Sequence, residues 1–337
     1  MPCKKSLARH PLNQGDRKPL IAILRVLPQR LAIMILTLFL VSVVIFSITQ
    51  ILPGDAAYTS LGQYASEEAV KKLRIELGLD TPVWNQYINW LAAFVRGDFR
   101  ESLILGIPIR PILLQRLANS SVLGLLAFLE ITCLGIFLGV LCGIKKDSLL
   151  DQTVSIFGFI WLSIPEFVSG SLFILFFAGT FWKIFPAGGY VAISEGFWPW
   201  ISRLILPATT LTLILLAYVA RMTRSSMIEV LRSNYVRTAR LKGLDEKRVI
   251  LRHALRNALM PTATLLANNF GWLMGGIVVV ESVFSFPGLG RLTISAIHQR
   301  DIPMIQATVL VVAALYISAN VAVDLLYMIL DPRNRPD

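Results

Sequence analysis

The feature that most constrains this chain is a set of six apolar runs, 16 to 26 residues long. Lipid offers no partner to a bare backbone N–H or C=O, and a helix of that length pairs both internally across the hydrocarbon core. The runs are 31–51, 121–144, 153–178, 207–220 extended to 222, 262–280 and 306–330. Within them, stretches such as 211–219 are apolar on every face, so the strict alternation of a membrane barrel is missing. With 55% hydrophobic and 16% charged residues, little polar material remains to coat a water-soluble globule. The expected fold is all-α, a polytopic membrane bundle of about six transmembrane helices.

Charge gives this bundle an orientation, because cytoplasmic loops hold the excess of Lys and Arg. Of the 32 basic residues, 21 lie before the first run, in 221–260, at Lys145 and Lys146, or at Arg333 and Arg335. Both termini are therefore expected in the cytoplasm. The chain divides into a basic tail 1–30, a first span 31–51, an extracytoplasmic segment 52–119, a permease core 120–330 with a cytoplasmic loop 221–260, and a C-terminus 331–337. The 54–119 stretch carries seven basic and seven acidic residues, and the net charge of +11 needs no nucleic-acid partner, only anionic membrane lipid. The first run is longer than a signal-peptide core and no cleavage site follows it, so it reads as a retained anchor.

Local signals fill in the segments between runs. Leu52-Pro53-Gly54-Asp55 should end the first helix. Ser66 before Glu67 and Glu68 reads as an N-cap, with that helix ending near Gly78. A second amphipathic helix follows Pro82, its Trp84, Tyr87, Ile88, Leu91 and Phe94 suited to the outer bilayer surface, and stops at Gly97-Asp98. Gly135, Gly139 and Gly143, and again Gly271 and Gly275, recur every four residues and should let another helix approach closely. Pro165 should kink the third span.

No catalytic centre is legible. The chain has no GxxxxGK[ST] loop and no Gly-Lys dipeptide, so it cannot cradle ATP in the usual way. His10, His253 and His298 are scattered, and Cys3, Cys133 and Cys142 form no CxxC. Neither a cofactor nor a metal site is expected. Ser163, Ser169 and Ser171 have no intramembrane base, which argues against a membrane hydrolase. A secondary transporter would show inverted repeats, and none is visible.

The most informative polar stretch runs from Glu229 to Pro261. Gly243 fits the position just past a helix C-terminus and Asp245 the N-cap of the next helix, giving helix, sharp turn, helix. Ala239 lies one turn before Gly243 and is expected to present a small-residue face to a groove on another protein. The pattern resembles the EAA loop of ABC importer permeases, with Arg237-Thr238-Ala239 at the EAA positions. His253-Ala254-Leu255-Arg256 replaces the family's usual trailing sequence, and the proline is displaced to Pro261, as in the branch of peptide and nickel permeases. Gly78-Leu-Asp-Thr-Pro82, Phe185-Pro-Ala-Gly-Gly189, Glu281-Ser-Val-Phe-Ser-Phe-Pro-Gly-Leu-Gly-Arg-Leu292 and Asp331-Pro-Arg333 are similar to that branch's segments, in its order. Ala56, where the family has proline, and the long basic tail depart from it.

The resemblance implies a bacterial inner-membrane permease importing dipeptides or oligopeptides, with nickel or metal-chelate import as the alternative. It implies as partners a separate ABC ATPase, a second homologous permease subunit and an extracytoplasmic solute-binding protein. The ATPase-coupling residues it points to are Tyr235, Arg237, Thr238, Ala239, Gly243 and Leu244. Carboxylates within spans are costly unless they face water or a partner, which singles out Glu130 and Glu166 deep in the bundle and Asp324 nearer one end. Glu166 and Glu281 are the candidate pathway residues. Since no phosphate loop exists, the purified chain is expected to show no ATP hydrolysis. Phosphate release that scales with this chain after removal of every contaminating ATPase would overturn that expectation.

Overall fold

The computed structural model describes residues 17–51, 66–76, 80–179 and 181–330. The expectations for the tail before residue 17, for 52–55 and Ala56, for Gly78, for 331–337 and for the side chain of Asp324 lie outside the described residues. Among those described the chain is helical, with no strand beyond one isolated bridge between Glu101 and Pro108.

The helix α1 (Arg17–Ile51) leads to α2 (Glu67–Glu76), α3 (Val83–Val95) and α4 (Ile109–Ile144). Next come α5 (Leu149–Ser163) and α6 (Glu166–Phe173), the latter prolonged by a π turn at Ile174–Ala178. Then follow α7 (Phe197–Leu231), α8 (Asn234–Leu241), α9 (Glu246–Arg248) with a π turn at Val249–Ala254, α10 (Leu255–Val283), α11 (Leu289–Gln299) and α12 (Ile302–Leu330). Among the described residues four helices are long and apolar enough to cross a membrane, and the bent pair α5 and α6 makes a fifth. The helix α10 covers the remaining expected span as one continuous 29-residue helix, with Asn268 and Asn269 in its middle.

The long helices overrun their expected bounds, α1 starting at Arg17 and α10 reaching from Leu255 to Val283. The second span starts at Ile109, directly after Pro108, and not at residue 121. The fourth runs from Phe197 and passes through Pro207. Polarity sets where a helix leaves the lipid, but it does not stop the backbone hydrogen-bond ladder, which continues into the aqueous layer until a cap ends it.

The glycine ladder on α4 organises the bundle. A Cβ at Gly135 would lie 2.6 Å from Val219 Cγ1, one at Gly139 would lie 2.5 Å from Thr223 Cβ, and one at Gly143 would lie 2.6 Å from Met227 Cβ. Each glycine thus receives a residue of α7, and both series climb in steps of four, so α4 and α7 run parallel and nearly touch backbone to backbone. The intervening chain must therefore travel back across the bundle once. It does so in register with α7: Asp151 meets Arg224, Gly158 meets Ala217, Gly170 meets Thr210, and the Gly188 carbonyl accepts from Arg203 Nη1 at 2.7 Å. In the second expected pair, Gly271 packs on Tyr316 of α12, whereas nothing lies within 4 Å of a Cβ at Gly275.

At Pro165 the third span breaks outright. The axes of α5 and α6 differ by 111°, because Pro165 has no N–H to continue the ladder and holds Ile164 extended, with φ −99° and ψ 123°. Apolar packing closes the rest. One buried cluster joins Leu123, Ala127 and Ile131 of α4 to Leu211 and Leu215 of α7 and Leu273 and Ile277 of α10. A second joins Ile45 and Phe46 of α1, Tyr87 and Trp90 of α3, Ile109 of α4 and Met304 of α12. The helix α3, expected on the bilayer surface, therefore turns Tyr87 and Trp90 onto α1, where the Tyr87 hydroxyl hydrogen-bonds Ser42 Oγ at 2.9 Å and Trp84 stays exposed.

A paired substitution tests the ladder. Gly139→Leu must push α4 away from α7 and is expected to cost about 1–3 kcal/mol or more, lowering the unfolding midpoint and the yield of folded protein. Gly275→Ala, into open space, is expected to leave both unchanged.

Candidate functional site

The loop between α7 and α10 folds as its spacing requires. The helix α8 ends in a Schellman motif: Leu244 N–H donates to the Ala239 carbonyl at 3.4 Å and Gly243 N–H to the Arg240 carbonyl at 2.9 Å. This geometry places Gly243 at φ +75°, left-handed backbone that a side chain would strain. Arg240 clasps Glu246 across the turn with contacts of 2.6 and 3.1 Å. Their hydrogen bonds hold the Glu246 carboxyl below its usual range and raise the Arg240 guanidinium. A lowered carboxyl contributes above its unfolded pKa, so the clasp is complete at neutral pH and is lost only in acid.

One expectation fails here. Ala239 offers no face to another protein; it is buried with Val236, Met227, Val249, Ala254 and Ala258 of the same chain. The physical reason is periodicity: positions 236 and 239 share a helix face, and the turn at Gly243 folds the next segment back over that face. Leu244 packs on the same cluster. The opposite face of α8 carries the exposed groups Arg237, Thr238 and Leu241, with Leu241 79% accessible, and exposed Tyr235 flanks the buried face. The Tyr235 hydroxyl accepts from Asn257 Nδ2 of α10 at 2.8 Å, which fixes the exposed ring. Leu241 did not stand out in sequence, although its place two positions beyond Ala239 on the solvent side was available from helical spacing.

Glu281 also sits differently from what its motif suggested. It is fully buried, and no open surface reaches it. Ser120 Oγ of α4 donates to Oε1 at 2.5 Å, and the Arg291 backbone N–H at the start of α11 donates to Oε2 at 3.1 Å. Ser120 accepts in turn from Leu289 N–H at 2.8 Å, while Asn119 Nδ2 donates to the Pro287 carbonyl at 2.8 Å. A Cβ on Gly288 would overlap the Glu281 carboxylate. The carboxylate thus receives the first turn of α11, where a helix favours negative charge, and rivets α4, α10 and α11 together.

Glu166 opens α6 immediately after the break. Its carboxylate lies over α10, 2.8 Å from where a Cβ on Gly276 would sit. It is half-buried and has no hydrogen-bond or ion-pair partner among the described residues. Glu130 is different, since Thr212 Oγ1 of α7 donates to it at 3.1 Å. Asp151, which sequence reasoning passed over, is 2% exposed and takes a bidentate contact from Arg224 Nε and Nη2 at 2.5 and 2.7 Å, pinning the start of α5 to α7. The described residues contain no group of three or more His, Cys, Asp or Glu able to hold a metal.

These elements have counterparts. A family model described as the binding-protein-dependent transport system inner membrane component matches residues 135–336, and its N-terminal companion matches residues 23–120. The probable peptide ABC transporter permease protein y4tP of Sinorhizobium fredii is 38% identical over 308 residues, covering 91% of this chain and 98% of that protein. The dipeptide transport system permease protein DppB of Escherichia coli is 36% identical over 331 residues, covering 91% and 97% respectively. With helices built for the bilayer and family matches over most of its length, this protein belongs to the binding-protein-dependent ABC transporter permeases, membrane transport subunits that are not themselves enzymes and whose family implies ATPase and binding-protein partners.

Proposed function

We propose that the chain is one permease subunit of a bacterial importer of short peptides, with both termini and the 221–260 loop in the cytoplasm. The observation that carries the coupling part is α8 itself. Val236 and Ala239 hold it on one side, and the rest of its surface offers Tyr235, Arg237, Thr238 and Leu241, partly apolar and partly basic. An amphipathic helix of this kind seats in a groove, and here the groove belongs to the ATPase. Gly243 and Leu244 set its angle and do not touch the partner. A second, homologous permease completes the pathway, and a solute-binding protein delivers the peptide from outside. The peptide substrate rests on the names of the relatives and on their coverage of this chain. In this reading Glu166 lines the pathway, where an unpartnered carboxylate meets a peptide's cationic amino terminus, whereas Glu281 is a structural rivet.

The coupling assignment is tested by contrast. Leu241→Asp removes an exposed anchor, and Gly243→Val forces about 1–2 kcal/mol of strain on the turn that aims α8. Each is expected to leave membrane insertion intact while cutting ATPase co-purification and labelled-dipeptide uptake at least tenfold. Arg232→Gln, outside the exposed face, is expected to change either by less than twofold. Normal coupling in both Leu241→Asp and Gly243→Val would remove the site from α8.

Orientation is tested separately. Cysteine placed at Lys71 is expected to react with an impermeant reagent added to intact cells, and cysteine at Lys247 only after lysis; the reverse pattern would invert the topology.

A further inference from the structure

A groove of about 420 Å³ opens between α4, α5 and α7. Its walls are hydrocarbon for most of its length, with Leu138 of α4, Val154, Phe157 and Trp161 of α5 and Leu216 of α7, and it ends at Arg221 and Arg224. It opens beside Phe157 and Phe159, both exposed. The two guanidiniums lie at the level where α4 ends and α5 begins, since Arg224 holds Asp151 in the first turn of α5. That level is a membrane surface, because the chain between the two helices is a short turn containing Lys145 and Lys146.

The two arginines differ in what they have left to offer. Arg224 spends Nε and Nη2 on Asp151. Arg221 is exposed, lies 4.2 Å over the Phe159 ring, and has no carboxylate partner among the described residues. The groove is thus a hydrocarbon slot with one uncompensated cation at its aqueous end. Its chemistry selects the occupant: the apolar walls match an acyl chain, and the Arg221 guanidinium at the end matches an anionic headgroup.

We propose that this groove is a binding site for one anionic phospholipid, with an acyl chain between α5 and α7 and the headgroup phosphate on Arg221. Basic pockets between membrane helices take anionic headgroups in this way. The site stands apart from the coupling surface on α8 and does not depend on which substrate is carried.

The experiment uses the purified full chain in a mild detergent, with dioleoyl phosphatidylglycerol and dioleoyl phosphatidylcholine offered together and retained lipid counted by native mass spectrometry. The wild-type chain is expected to retain phosphatidylglycerol over phosphatidylcholine by roughly fivefold or more. Arg221→Gln is expected to abolish the preference, and Ser155→Phe, which fills the groove, to abolish retention of either lipid. Arg237→Gln, the same charge change on α8, is expected to leave the preference intact, and millimolar sn-glycerol 3-phosphate is expected not to compete. Arg221→Gln alters an exposed side chain, so it decides the question even where Ser155→Phe folds poorly. An unchanged preference in Arg221→Gln, or displacement by the free phosphate, would overturn the proposal. So would a Ser155→Phe variant that keeps its lipid but loses a co-purifying permease, because the groove would then be a protein interface.

Discussion

The close approach of α4 and α7 is the contact on which the rest of the bundle depends. In lipid there is no apolar surface to remove from water, so helices associate through packing and hydrogen bonds, and backbone proximity becomes the main source of attraction. Gly135, Gly139 and Gly143 provide it by letting Val219, Ala220, Thr223 and Met227 reach the α4 backbone. Because the two helices run parallel, the chain between them must make one return crossing. That requirement places α5 and α6 against α7 and leaves another of its sides to α10, which is tied in by the hydrogen bond between the Thr223 and Thr262 hydroxyls at 3.0 Å.

Where the ladder of backbone hydrogen bonds is interrupted, the candidate site residues gather. Pro165 breaks the return crossing and sets Glu166 at a fresh helix start, facing α10 at Gly276. Gly243 breaks the loop and turns α8 so that its small residues seal the mount and its larger ones face outward. At the far end of α10, Glu281 gathers a hydroxyl and a backbone N–H that would otherwise stand unpaired at the start of α11. Burying a carboxylate this deeply is tolerable only with such donors, and removing one of them would leave the charge uncompensated. Asp151 and Arg224 solve the same problem at the opposite end of the bundle.

Sequence alone determined that the chain is helical and membrane-bound, because apolar runs that long have no other way to satisfy their backbone in lipid. It also located the breaks at Pro165 and Gly243, since these depend on what one residue's own geometry allows. Tertiary structure decided the rest. Only the fold over the Gly243 turn shows that Ala239 is buried and Leu241 exposed, because helical spacing defines a face but not which side a later segment will cover. Only packing distinguishes Glu281, riveted by Ser120 and the Arg291 backbone, from Glu166, left without a partner among the described residues, since a carboxylate's cost and role are set by donors that lie far away in sequence. Gly271 and Gly275 look alike in the chain, yet only the first meets another helix, because a small residue permits an approach that a neighbour must still make.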